Sequence, residues 1–140
     1  MPGWLVVIPR RHILALDELT LDESAELGPL LSDLTAALRQ VVQREKTYVA
    51  LFAEAEGFAH LHFHVIPRRP GLDPAFFGPR VFGLLGGDPA LHVPETARDQ
   101  IAARLAHALS VRPLAPPTSL SAANADRRTG FRSQPLAALP

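Results

Sequence analysis

The stretch His60-Leu61-His62-Phe63-His64-Val65-Ile66-Pro67-Arg68 alternates three histidines with apolar residues. Random placement of six histidines in 140 residues would produce such a triplet in roughly one chain in a hundred. Strict alternation predicts a strand over 58–66. Successive side chains then point to opposite faces. His60, His62 and His64 share one face. Leu61, Phe63 and Val65 take the other and enter the core.

The flanking chain supplies the rest of a small sheet. Residues 4–8 form a short apolar run, Trp-Leu-Val-Val-Ile, closed by Pro9. This reads as a buried strand. A basic turn follows at Arg10, Arg11 and His12. Residues 47–53 read as another strand. The link around Glu56-Gly57 joins it to the histidine strand as a hairpin, with Gly57 supplying the permissive backbone.

Thr20-Leu21-Asp22-Glu23 has the form of a capping box, with Thr20 as N-cap and Glu23 reaching back. The helix it opens carries Leu27, Leu30, Leu31, Leu34, Leu38, Val41 and Val42, one apolar stripe at spacings of three and four. Gly28-Pro29 should kink or locally break it. Residues 68–80 are rich in Pro and Gly and read as loop. Residues 81–85 are apolar but bounded by Gly83, Gly86 and Gly87, and their pattern decides between no two elements. A second helix begins at Pro94-Glu95, with Ile101, Leu105 and Leu109 as its stripe. Residues 111–140 hold five of the 14 prolines, four arginines and one acid. With no sustained periodicity, they read as a mobile tail after a domain over 1–110.

Composition narrows the function. The chain is 47% hydrophobic and 20% charged, enough apolar material for one domain with a core. Its 14 basic and 14 acidic residues cancel. That balance gives no broad surface for nucleic acid or anionic membrane. A small phosphorylated ligand needs only a few local groups. There are no cysteines, hence no disulfide scaffold and no thiolate site. No apolar run has the length of a membrane span, and the N-terminus lacks the basic segment of a signal peptide. A cytoplasmic protein is expected.

Three histidines on one strand face allow three readings. The first is metal binding. Zinc wants imidazole nitrogens at about 2.0–2.1 Å, whereas residues i and i+4 on a strand lie roughly 13 Å apart along its axis. A single ion would need ligands from elsewhere, His12 or Glu54 being candidates. The second is nucleophilic catalysis: a neutral imidazole attacks, a charged one stabilises phosphate oxygens, and repulsion between neighbours keeps some neutral near pH 7. The third is a row of surface histidines without chemistry. His92, beside Pro94, and His107, in the last helix, read as ordinary surface or helix-end residues.

The stretch HLHFHVIPR resembles the signature of the histidine triad (HIT) family, which alternates three histidines with hydrophobic residues, often before Pro-Arg. Upstream, Leu5-Val6-Val7-Ile8-Pro9-Arg10-Arg11-His12 resembles the strand of that family that ends in Pro, two basic residues and a histidine. The resemblance spans about residues 3–109. It implies an α+β fold: an antiparallel sheet with one long helix and a C-terminal helix. It also implies a nucleotide hydrolase or nucleotidyl transferase acting at an α-phosphorus. His62 would attack phosphorus and carry the nucleotidyl group. His64 would contact the phosphate and leaving-group region. His60 would orient His62, and His12 would join a proton relay. Water would then release a nucleoside monophosphate, with no cofactor and no metal in the chemical step. Dinucleoside polyphosphates and nucleoside phosphoramidates are the implied substrates, with no nucleic acid or membrane as partner and a homodimer as the expected assembly. Two alternatives stand beside this: a nucleotide-binding protein with little turnover, and a histidine-based metal-binding protein.

Two departures from the family pattern carry expectations of their own. Family members usually have Gly-Gln and a small polar residue just before the triad, where this chain has Ala55-Glu56-Gly57-Phe58-Ala59. A carboxylate there disfavours a nearby phosphate unless Glu56 points away. Family members also normally carry some 30 residues of strand and short helix ahead of Pro2-Gly3. A domain lacking those strands is expected to expose the outer edge of the strand over 4–8 and to have an incomplete base pocket.

Overall fold

The computed structural model describes residues 1–86, 92–111 and 131–135. Strand β1 (Leu5–Pro9) leads to helix α1 (Leu21–Val42), then strands β2 (Lys46–Ala50) and β3 (Phe63–Arg68), helix α2 (Glu95–Val111) and strand β4 (Phe131–Pro135). The four strands form one sheet in the order β2-β3-β1-β4, and every pairing is antiparallel. The architecture is α+β, with one long helix and a C-terminal helix as the resemblance implied. No helix among the described residues is long and apolar enough to cross a membrane.

Alternation decides which face each strand buries. Leu5 and Val7 of β1 join Leu61, Phe63 and Val65 in a core under Leu34, Leu38, Val41 and Val42 of α1 and Leu105 of α2. Both helices thus cover one face of the sheet. The opposite face carries Trp4 and Ile66, packed with Val81, Tyr48 and Phe82 in a smaller cluster. All five residues of β1 are buried, as expected of a strand covered on both faces. Gly3 fits here because it has no side chain. Its φ is +81°, and a Cβ would sit 3.1 Å from Val42 and 3.3 Å from both Leu38 and Pro67.

The capping box forms as expected. Thr20 Oγ1 accepts from the Glu23 amide at 3.2 Å, and Glu23 Oε2 accepts from the Thr20 amide at 2.8 Å. The expected break at Gly28-Pro29 does not occur. The helix runs uninterrupted from Leu21 to Val42 with Pro29 inside it, because Leu27 before the proline and Leu30, Leu31, Leu34 and Leu38 after it all pack on the same core. It ends at Gln43, whose φ of 51° is left-handed.

Strand boundaries differ from the sequence reading: the strand expected over 4–8 is Leu5–Pro9. The strand expected over 47–53 is Lys46–Ala50, and the one expected over 58–66 is Phe63–Arg68. The link between them is therefore not tight: it runs over 51–62, although the register pairs Ala50 with His64 symmetrically about Gly57. Gly57 has φ +80°. Residues 78–84, which include most of the undecided 81–85 segment, form a 3-10 helix, Gly78–Leu84, whose Val81 is buried.

The largest difference lies at the C-terminus. The expectation of an unstructured tail over 111–140 fails at Phe131–Pro135, which is strand β4 and pairs with β1 along its whole length, Leu5 with Pro135 through Pro9 with Phe131. The outer edge of β1, expected to be exposed, is covered. A pairing across more than 120 residues leaves no local pattern in a stretch as polar as Phe-Arg-Ser-Gln-Pro. Val111 closes α2, and the remainder of that expected tail, 112–130 and 136–140, lies outside the described residues.

Candidate active site

The histidine row sits where β3 begins, on the sheet face opposite the helices. Only His64 lies within the strand, paired with Val6 of β1 and Ala50 of β2. His60 and His62 precede it, contrary to the expectation of three histidines along one strand. The reason is backbone pairing. The Leu61 amide donates to the Ile13 carbonyl at 2.8 Å, so this segment follows the chain leaving β1 rather than β2. Leu61 still points into the helix-covered core.

The four histidines form a continuous row. The rings of His12 and His60 lie 4.7 Å apart, and those of His62 and His64 4.9 Å apart. A hydrogen bond closes the middle step: His62 Nδ1 is 2.8 Å from the His60 carbonyl oxygen. His12 is exposed, His60 and His62 are half-buried, and His64 is 7% exposed. Among the described residues no three His, Asp or Glu side chains are grouped so as to hold one metal ion.

Hydrogen-bond chemistry assigns protons along this row. A carbonyl oxygen only accepts, so His62 Nδ1 must donate. The neutral ring then presents the Nε2 lone pair. His60 Nε2 likewise donates to the Arg11 carbonyl at 3.1 Å. Arg11 is itself fastened to the start of α1. Its Nη2 donates to the Glu18 carbonyl at 2.7 Å and to Glu23 Oε2 at 2.9 Å, and its Nε to Glu23 Oε1 at 3.3 Å. The bond from Arg11, helped by that from the Thr20 amide, holds the Glu23 carboxyl down at about 2. Glu23 therefore closes the helix cap and anchors the turn whose carbonyl receives His60.

At the other end, the indole Nε1 of Trp4 donates to His64 Nδ1 at 3.1 Å. Burial, and secondarily the charge of His62, pushes the His64 pKa down to about 4. The Phe82 ring stands edge-on to His64 at 4.9 Å and to Trp4 at 5.3 Å. Phe52, 53% exposed, stands edge-on to Phe82 at 5.2 Å. Arg68, the arginine of the motif, is paired with Glu45 at 2.7 Å and lies 4.5 Å over the Phe77 ring. Glu56 is exposed, as are His92 and His107.

Sequence reasoning missed Trp4, Phe82 and Phe52 as neighbours of the row. Trp4 could have been found. Period two places it on the face of Val6, and Val6 pairs with His64, so an antiparallel register brings the indole diagonal to the imidazole. Phe82 lies in a 3-10 segment whose docking no periodicity encodes.

Comparisons with known proteins bear on the family and the fold. The family model described as HIT domain matches residues 1–71. A histidine triad (HIT) protein from Sinorhizobium meliloti 1021 is 31% identical, over 74% of this chain and 73% of that one, with a TM-score of 0.60. A histidine triad protein from Marinobacter aquaeolei VT8 is 28% identical over 81% and 78%, also at 0.60. A zinc-bound histidine triad family protein from Mycobacterium smegmatis, 23% identical over 80% and 75% at a TM-score of 0.55, shares the fold. No curated protein matches. With the domain model laid over β1, β3 and all four histidines of the row, the chain belongs to the HIT family.

Proposed function

We propose that this protein is a nucleotide hydrolase or nucleotidyl transferase that acts at an α-phosphorus through His62. The observation that carries the reading is the 2.8 Å bond from His62 Nδ1 to the His60 carbonyl. It aims the ring, keeps a proton on Nδ1 and leaves Nε2 to attack. The same bond stabilises the positive charge that the ring gains once Nε2 is bonded to phosphorus.

In the first step the Nε2–phosphorus bond forms and the bond to the leaving group breaks, its electron pair departing with that group. In the second, a water oxygen bonds to phosphorus, the pair of the nitrogen–phosphorus bond returns to Nε2, and the water's proton passes to solvent. His64 donates from Nε2 to a phosphate oxygen. His60 holds His62 through its carbonyl and is held in turn by that of Arg11. His12, exposed beside His60, is placed to pass protons between that network and water.

The test is direct. The protein is incubated with diadenosine tetraphosphate and, separately, with adenosine phosphoramidate, and AMP release is followed. An adenylyl group on His62 is sought by mass spectrometry after an alkaline quench, which preserves the phosphorus–nitrogen bond. Wild type is expected to release AMP and His62→Ala to release none. Equal inertness of both proteins, with nucleotide still bound, would sink the catalytic reading.

A further inference from the structure

Trp4 meets His64 through a donor that cannot reverse. Indole Nε1 carries a proton and has no lone pair to offer. Its 3.1 Å bond to His64 Nδ1 requires that Nδ1 be unprotonated. The one proton of neutral His64 is then on Nε2. Adding a second would set two N–H groups against each other in a closed site, since Trp4 is 3% and His64 7% exposed. Among the described residues the surroundings offer no compensation. Val6 and Ala50 pair with His64 from the flanking strands, and Phe82 covers it. His62 is the titratable group that faces it. Arg80, in the segment of Phe82, is bound to the carbonyls of Pro74 and Ala75.

We propose that Trp4 is a positioning residue that holds His64 as a neutral Nε2–H donor, which commits the site to leaving groups that depart as anions, the nucleoside polyphosphates, over the amines of phosphoramidates. The proposal rests on the nucleotidyl-transfer reading above. Its chemistry turns on where the electron pair goes. When His62 displaces a polyphosphate, the pair stays on a phosphate oxygen, whose second pKa is about 6. That oxygen leaves as an anion and needs only a hydrogen bond. When the bond that breaks is phosphorus to nitrogen, the pair goes to nitrogen and a proton has to arrive with it. Imidazolium could supply that proton. Neutral imidazole is a far weaker acid and supplies only the hydrogen bond.

Two measurements test this. Long-range proton–nitrogen NMR correlations on the nitrogen-15-labelled wild type read the His64 tautomer directly. The expected result is Nδ1 unprotonated and Nε2 protonated at pH 7, persisting to about pH 5. A proton on Nδ1 at pH 6 overturns the lock, whether or not any nucleotide is turned over. In the activity arm, wild type is expected to favour diadenosine tetraphosphate over adenosine phosphoramidate by about 100-fold in kcat/KM, the scale of one general-acid contribution. Trp4→Phe keeps a ring and removes the N–H. It is expected to raise the His64 pKa and to narrow that ratio on the acid side of the pH profile. Equal rates in wild type, or an unchanged ratio in a Trp4→Phe protein whose His64 titration has moved, overturn the leaving-group assignment. Absence of AMP from both substrates overturns the nucleotidyl-transfer reading and the leaving-group assignment with it, while the tautomer spectrum still decides the lock.

Discussion

An imidazole buried against an indole and a phenyl ring behaves differently from the same side chain in water, and His64 is where that difference becomes measurable. Burial, then the charge of His62, lowers its pKa to about 4, against about 6.5 for an unperturbed histidine. Above pH 6.5 the ring is neutral in both folded and unfolded chains, and the folded state bears no proton-linked penalty. Between 6.5 and 4 the unfolded chain takes up a proton that the folded one refuses, so stability falls as pH falls. Over the whole window the loss is on the order of 3 kcal/mol. His64→Gln offers a control, because an amide oxygen still accepts from Trp4 and does not titrate. Urea unfolding at pH 7.5 and pH 4.5 should show wild type losing more stability than His64→Gln by about that amount. Equal losses would mean that His64 ionises freely in the fold.

At the scale of elements, α1 shows two features of opposite sign. Its capping box is complete, and Thr20→Ala should cost about 1 kcal/mol. Glu23→Gln separates two roles, because glutamine can close the box but cannot hold the Arg11 guanidinium as an ion pair. It should keep most of the cap's stability. Pro29 works the other way. It is exposed, so its ring buries little, yet it removes one helical hydrogen bond. Pro29→Ala should stabilise the protein by about 2 kcal/mol, the helix-interior cost of proline less the entropy the unfolded chain regains. All three are read as shifts in the urea midpoint at constant slope. The same helix shows what was legible in the sequence. Its cap and its stripe are local patterns, and the alternation of Leu61, Phe63 and Val65 is another, so these appeared where expected. The start of β3 was not legible, because Leu61, between His60 and His62, turns its backbone amide to the Ile13 carbonyl rather than to β2. The site was half legible for the same reason. The histidines announce themselves by spacing, whereas Trp4 acquires its role only from the register of β1 on β3.

At the scale of the whole molecule, the question is what closes the sheet beyond β1. Strand β4 does so from the far end of the chain, and Phe131 carries its attachment. This side chain is 2% exposed and belongs to the same core as Leu5 and Val7. Deleting a buried phenyl ring removes its transfer free energy and leaves a cavity, together worth about 3–5 kcal/mol. Domain stabilities are typically about 5–15 kcal/mol, so Phe131→Ala should move the urea midpoint further than any α1 substitution above. A tail without structure would show no such effect, which makes the experiment decisive for the strand. Tryptophan emission supplies a second readout. Val6 pairs with Gln134 on one side and His64 on the other, so one β1 residue joins β4 to the histidine row. If β4 secures β1, Phe131→Ala should also loosen the Trp4–His64 contact. Because Trp4 is the chain's one tryptophan, its fluorescence should shift to the red below the global unfolding midpoint. A midpoint and an emission maximum both unchanged from wild type would detach β4 from the fold.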